Sequence, residues 1–259
     1  MFGEPAPTQG DIHFRLLGMP IRIHPFFWLV AAILGANSGG AIEVLTWVAA
    51  VLLAILVHEL GHALVLRTFG LHPWIVLYGM GGLTIHDPAE NYNSKAHTPL
   101  GQISTSLAGP LAGFILAAAL LGALYAAGFG QQISYENPFH LRPLWNDAVI
   151  VADSFKIHLE FSRRAELVND VFFICTFWGL MNLLPIYPLD GGQIVREILL
   201  YFNPQQGVQQ SLILSIFTAA LVAAFGLVKL NDYYIAAFFA FMAYESFIAL
   251  QSLSRGGRW

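Results

Sequence analysis

"ILVHELGHALVL", residues 55–66, sets His58, Glu59 and His62 in a run otherwise apolar enough to be a membrane helix. The run His58-Glu59-Leu60-Gly61-His62 matches H-E-x-x-H. On a helix, positions i and i+4 share one face, with side chains about 6 Å apart. Two imidazoles so placed can hold one zinc ion, while the carboxylate between them reaches the water at the ion's open position. An ionisable residue at mid-membrane costs roughly 2.5–3.5 kcal/mol on insertion scales. Three of them on about one helical turn need a compensating partner, and a divalent cation supplies one.

The composition supports a membrane setting. Of 259 residues, 56% are hydrophobic and only 11% charged, where soluble domains carry about 25% charged residues. The apolar residues gather into long runs, as in integral membrane proteins. A net charge of −4 gives no reason to expect a nucleic-acid partner. The single cysteine, Cys175, sits in the apolar run "VFFICTFWGL" and reads as a small packing residue. The first 22 residues hold no continuous apolar core, so no cleavable signal peptide is expected.

The expected fold is an all-α polytopic membrane protein, one membrane-embedded domain over 1–259. About six transmembrane helices are expected, near 24–38, 43–66, 101–128, 170–186, 210–229 and 233–251. Between the second and third, "HPWIVLYGMGGLTIH" (72–86) mixes β-branched and aromatic residues with a glycine break and reads as a short membrane-edge β-hairpin. The polar stretch 129–169 is too short for an ordinary separate domain. Its Asp147, Asp153, Lys156, Arg163 and Arg164 read as a solvated surface. With both termini cytoplasmic, that face holds Arg15, Arg22, Arg67, Lys95, Arg196, Arg255 and Arg258, against Arg142, Lys156, Arg163, Arg164 and Lys229 opposite. The bias favours this orientation. Spans two and four then run the same way, and span four carries "YPLDGG" to the depth of the histidine pair.

A catalytic zinc takes three protein ligands and keeps one open position. Candidates for the third are Asp190, Glu197, His24, His72 and His86. Asp190 is best placed, because it follows span four at the depth of His58 and His62. Pro185 and Pro188 prevent a regular helix there, and Gly191-Gly192 permit a tight turn. Asn182 is a candidate to hold a substrate backbone or an oxyanion, or else a helix-packing amide.

"HELGH" in the second span, paired with "NLLPIYPLDGG" in a later one, resembles the site-2 protease family of intramembrane zinc metalloproteases. "GMPIRIHPFFW", "GMGGLTIH" and "SLAGPLAG" are similar to that family too, so the resemblance runs from about 18 to 200. It implies that His58, His62 and Asp190 bind zinc, that Glu59 is the catalytic acid/base, and that a membrane protein is cut within or near its transmembrane segment. The order of elements is closest to the compact six-span bacterial branch, in the cell (inner) membrane, with neither a PDZ insertion nor a regulatory C-terminal domain expected. Gly113 stands where the family often has Asn after "AGPLA".

Two other classes compete. A metal transporter would line a path with further ligands, yet spans one, three, five and six offer only Glu245. A non-catalytic membrane scaffold would not need Glu59. For the protease, the expected partners are the lipid bilayer and a transmembrane protein substrate. A transmembrane helix must unwind to expose its carbonyls, and Ile75, Val76 and Leu77 are expected to pair with the unwound strand.

Overall fold

The computed structural model describes residues 4–36, 40–79, 81–87, 89–90, 94–127, 133–134, 158–159 and 163–254. In chain order, β1 (Ile12–Leu16) and β2 (Met19–Ile23) precede helices α1 (Pro25–Leu34) and α2 (Ala41–Thr68). Strands β3 (Trp74–Tyr78) and β4 (Gly81–Ile85) follow, then α3 (Pro99–Ala126). The pair β5 (Ile133–Ser134) and β6 (His158–Leu159) precedes α4 (Arg163–Asn182), α5 (Asp190–Phe202), α6 (Gly207–Val228) and α7 (Tyr233–Ser254). Asp147, Asp153 and Lys156 lie outside the described residues, as do the side chains of Arg163 and Arg164.

Among the described residues four helices, α2, α3, α6 and α7, are long and apolar enough to cross a membrane. The other two expected spans are shorter. α1 has ten residues, and the apolar part of α4 is Leu167–Asn182. At 1.5 Å per residue these reach about 15 and 24 Å, short of the ~30 Å hydrocarbon layer. Local chemistry sets the limits. His24 caps α1, its ring accepting the Phe26 N–H, with Pro25 in the first turn and Gly35 at the C-cap. α4 stops just before the proline-bearing segment 183–189. The chain is thus an integral membrane protein, mostly helical.

The expected hairpin is half of a larger sheet, ordered β1-β2-β3-β4. β1 and β2 form their own hairpin, with Leu17 and Gly18 both at positive φ in the two-residue turn. β2 then pairs in parallel with β3, setting Ile21 opposite Ile75 and Ile23 opposite Leu77. β3 pairs antiparallel with β4. Ile75, Val76 and Leu77 are therefore central, fully buried, and hydrogen-bonded into the sheet on both sides. Pairing with a further strand through these three residues is precluded, and the open edge nearest α2 belongs to β4.

Helix α5 departs from the expected turn at "LDGG". Gly191 and Gly192 lie in its first turn, and neither has positive φ. Their role is close approach: a Cβ on Gly191 would overlap the Leu183 carbonyl oxygen, and one on Gly192 would lie 2.5 Å from the Ile186 carbonyl carbon. The glycines let α5 start folded back against segment 183–189. Cys175 is buried in the main core with Ile174, Val171 and Ala117.

Candidate metal centre

His58 and His62 project from one face of α2, ring centroids 4.8 Å apart, with their Nε2 atoms 3.1 Å from each other. Asp190, the first residue of α5, faces both. Its Oδ2 lies 3.1 Å from His58 Nε2 and its Oδ1 3.5 Å from His62 Nε2. One ligand atom from each residue falls within 4.8 Å of the others, and among the described residues this is the one such group of three. The other four candidates do not join this group. His24 caps α1, His72 pairs with Glu90, Glu197 pairs with Arg196 at 3.0 Å, and His86 faces His97 with ring centroids 6.0 Å apart.

The donor set fits a divalent cation. His62 Nδ1 donates to the Thr105 carbonyl at 2.6 Å, which leaves the Nε2 lone pair facing inward. Two buried Nε2 atoms 3.1 Å apart and a carboxylate then converge, two imidazoles and one carboxylate being a donor set suited to a divalent cation. Asp190 Oδ2 is buried with no hydrogen-bond donor aimed at it. A buried carboxylate oxygen without a partner is costly, and a cation would satisfy it. The N-terminus of α5 adds a favourable dipole for the Asp190 charge.

Glycines make the room. A Cβ on Gly61 would overlap the Ala108 carbonyl oxygen, so α2 and α3 touch backbone to backbone. A Cβ on Gly109 would overlap His62 Nε2 and lie 2.7 Å from His58 Nε2, so only glycine there leaves both ligand atoms free. Gly82 of β4 backs onto Glu59: a Cβ there would overlap Glu59 Cγ and lie 2.5 Å from Oε1.

Glu59 is buried beside the triad, and the Thr84 hydroxyl lies 2.7 Å from its Oε2 and 3.0 Å from its backbone carbonyl. The cavity in front has a volume of about 500 Å³ and is lined by Glu59, Gly82, Thr84, Asn182 and Asp190 among others. Asn182 is buried, and its amide donates to the Trp178 carbonyl at 2.9 Å. His86 also lines the cavity. Partial burial, and then the neighbouring His97, hold its imidazole below the ordinary value, which favours the neutral ring at pH 7.

The structure brings His58, Glu59, His62, Asp190 and Asn182 to this cavity, with Gly82, which the sequence marks as a point of close backbone approach, whereas Thr84, Thr105 and Gly109 are missed. Of these three, Gly109 left a signal, within "SLAGPLAG", where its small size reads as helix packing. Nothing local to "GGLTIH" marks Thr84.

Comparisons with known proteins place the chain in a family. Over 191 residues, 72% of its length, the chain is 27% identical to a zinc metalloprotease of Methanocaldococcus jannaschii, covering 44% of that protein. It is 26% identical over 199 residues to stage IV sporulation protein FB of Bacillus subtilis, 74% of this chain and 51% of that one. The chain thus spans about half the length of the curated relatives it matches. In fold it is similar to a site-2 protease from Methanocaldococcus jannaschii, with a TM-score of 0.54, 23% identity, and coverage of 91% of this chain and 94% of that one. The family model for peptidase family M50 matches residues 46–224, and the chain belongs to that family.

Proposed function

We propose that the protein is an intramembrane zinc endopeptidase that hydrolyses a peptide bond within or near the transmembrane segment of a membrane protein. The observation that carries this reading is the convergence of His58, His62 and Asp190 within 4.8 Å, with Glu59 beside them. His58, His62 and Asp190 would hold the zinc. Bound there, zinc supplies Lewis acidity that makes water nucleophilic near neutral pH and polarises the scissile carbonyl.

The chain's own residues do the rest. Glu59 takes the proton of the attacking water on Oε1 and returns it to the leaving amine nitrogen. Thr84 holds Oε2, so the carboxylate keeps one orientation through both transfers. Thr84→Val should lower turnover about tenfold with zinc content unchanged, the scale of losing a hydrogen bond to a charged group at ~1.5 kcal/mol. Thr84→Ser should restore it. Unchanged turnover in the valine variant would remove Thr84 from this role. Asn182 faces the same cavity and is placed to receive a main-chain group of the substrate.

A membrane helix hides its carbonyls in internal hydrogen bonds. The substrate must unwind, and the edge of β4 beside Glu59 offers it unpaired backbone groups. In the Glu59→Gln protein, amides of Gly81–Ile85 should exchange more slowly with solvent once a transmembrane substrate is bound. Equal exchange with and without substrate would sink the strand-addition step. On the Lys and Arg bias, both termini face the cytoplasm of a bacterial cell membrane, and water reaches the site from that side. Co-expression with a panel of single-pass membrane proteins, active chain against Glu59→Gln, tests the whole reading. The expected result is a fragment that appears only with the active chain.

A further inference from the structure

We propose that Ser215 and Ser246 are positioning residues for the third metal ligand, gripping from both sides the segment that carries Asp190. This rests on the zinc reading above. Segment 183–189, between α4 and α5, is irregular backbone among membrane helices, and such backbone must find its partners within the protein. Local turns serve part of it: the Leu184 N–H donates to Met181 O, Ile186 N–H to Leu184 O, and Leu189 N–H to Ile186 O. Tyr187 looks elsewhere. Its N–H donates to Ser215 Oγ of α6 at 3.0 Å, and its carbonyl accepts from Ser246 Oγ of α7 at 3.2 Å.

Both serines are buried, Ser215 at 1% exposure and Ser246 at 0%, so their hydroxyls must find partners within the protein. A serine in a membrane helix ordinarily turns its hydroxyl onto its own helix. Ser215 does so, donating to Ser211 O at 2.8 Å, and still accepts from Tyr187, so both its capacities are used. Ser246 instead donates across to Tyr187 O. Beside them Ile186, fully buried, packs with Ala219 of α6 and with Phe239 and Met242 of α7. An apolar anchor and two hydrogen bonds therefore fix the backbone three residues before Asp190. Packing alone would be met by alanine at 215 and 246, but alanine would take away the side-chain partners of both main-chain groups of Tyr187.

The test is zinc affinity by chelator competition, with apo-protein thermal stability measured alongside. Ser215→Ala, Ser246→Ala and the double variant are compared in the wild-type chain and again in Asp190→Ala. Outer-sphere partners of metal ligands are worth roughly 10–100-fold in affinity. That loss is expected in the double variant, with apo stability near wild type. In the Asp190→Ala background the serine changes should have no further effect, because the ligand they position is gone. Ser211→Ala, at a buried serine of α6 whose hydroxyl donates to Val208 O of its own helix, should bind zinc normally. Wild-type affinity in all the serine variants overturns the proposal, as does an equal loss in the Asp190→Ala background. If Asp190→Ala alone leaves zinc binding intact, the ligand assignment fails, and the clamp with it. If Asp190→Ala weakens binding but the serine variants do not, only the clamp fails.

Discussion

Glu59→Gln is expected to lower peptide cleavage by ~10²–10⁴-fold, the range for a positioned general acid/base, while the purified protein keeps its zinc. The substitution preserves shape and leaves His58, His62 and Asp190 in place. It removes the group that can accept a proton at Oε1. The Thr84 hydroxyl can still donate to the amide oxygen of glutamine, so the side chain should keep its position against Gly82. Metal analysis and turnover on one preparation check both halves. Normal turnover in the zinc-loaded variant would rule out Glu59 as the proton carrier, and loss of zinc would make it part of the metal's support instead.

Gly109→Ala should reduce zinc affinity by at least ~10–100-fold and activity with it. The change adds one methyl group and improves helix propensity by about 1 kcal/mol, so a loss cannot come from α3 folding less well. It comes from position. The new carbon would overlap His62 Nε2 and sit 2.7 Å from His58 Nε2. α3 cannot retreat freely, because Gly61 holds its backbone against Ala108, so the imidazoles must turn away from Asp190. Zinc titration, with apo-protein unfolding as the control, separates this from general overpacking at ~1–3 kcal/mol. Wild-type zinc affinity in the alanine variant would show that the centre has more room than the geometry allows.

The histidine pair was legible because helical spacing alone joins His58 to His62. The depth of Asp190 followed from span order and the charge bias of the flanks. What stayed hidden depends on contacts distant in sequence. The parallel pairing of β2 with β3 joins residues 21–23 to 75–77 across α1 and α2. No local pattern reports it, so "WIVLY" looked like a strand open to substrate when it is the middle of a sheet. α5 was hidden by its own glycines, which suggest a turn by composition and instead allow a helix to begin against backbone. The short reach of α1 and α4 followed from a cap at one and the proline-bearing segment after the other, where hydropathy alone suggested full crossings. Thr84 became significant only once β4 lay over Glu59.

The division of the metal centre between α2 and the start of α5 sets an order on biosynthesis. The chain leaves the ribosome from its N-terminus, so His58, Glu59 and His62 can enter the bilayer while Asp190 has not been made. When Asp190 emerges, the helices bearing Ser215 and Ser246 are still to come. A nascent chain holding two imidazoles and a carboxylate has no complete ligand set, and so no working centre. On the zinc reading, a product truncated before Asp190 would carry the signature motif of His58, Glu59 and His62 yet lack the third ligand.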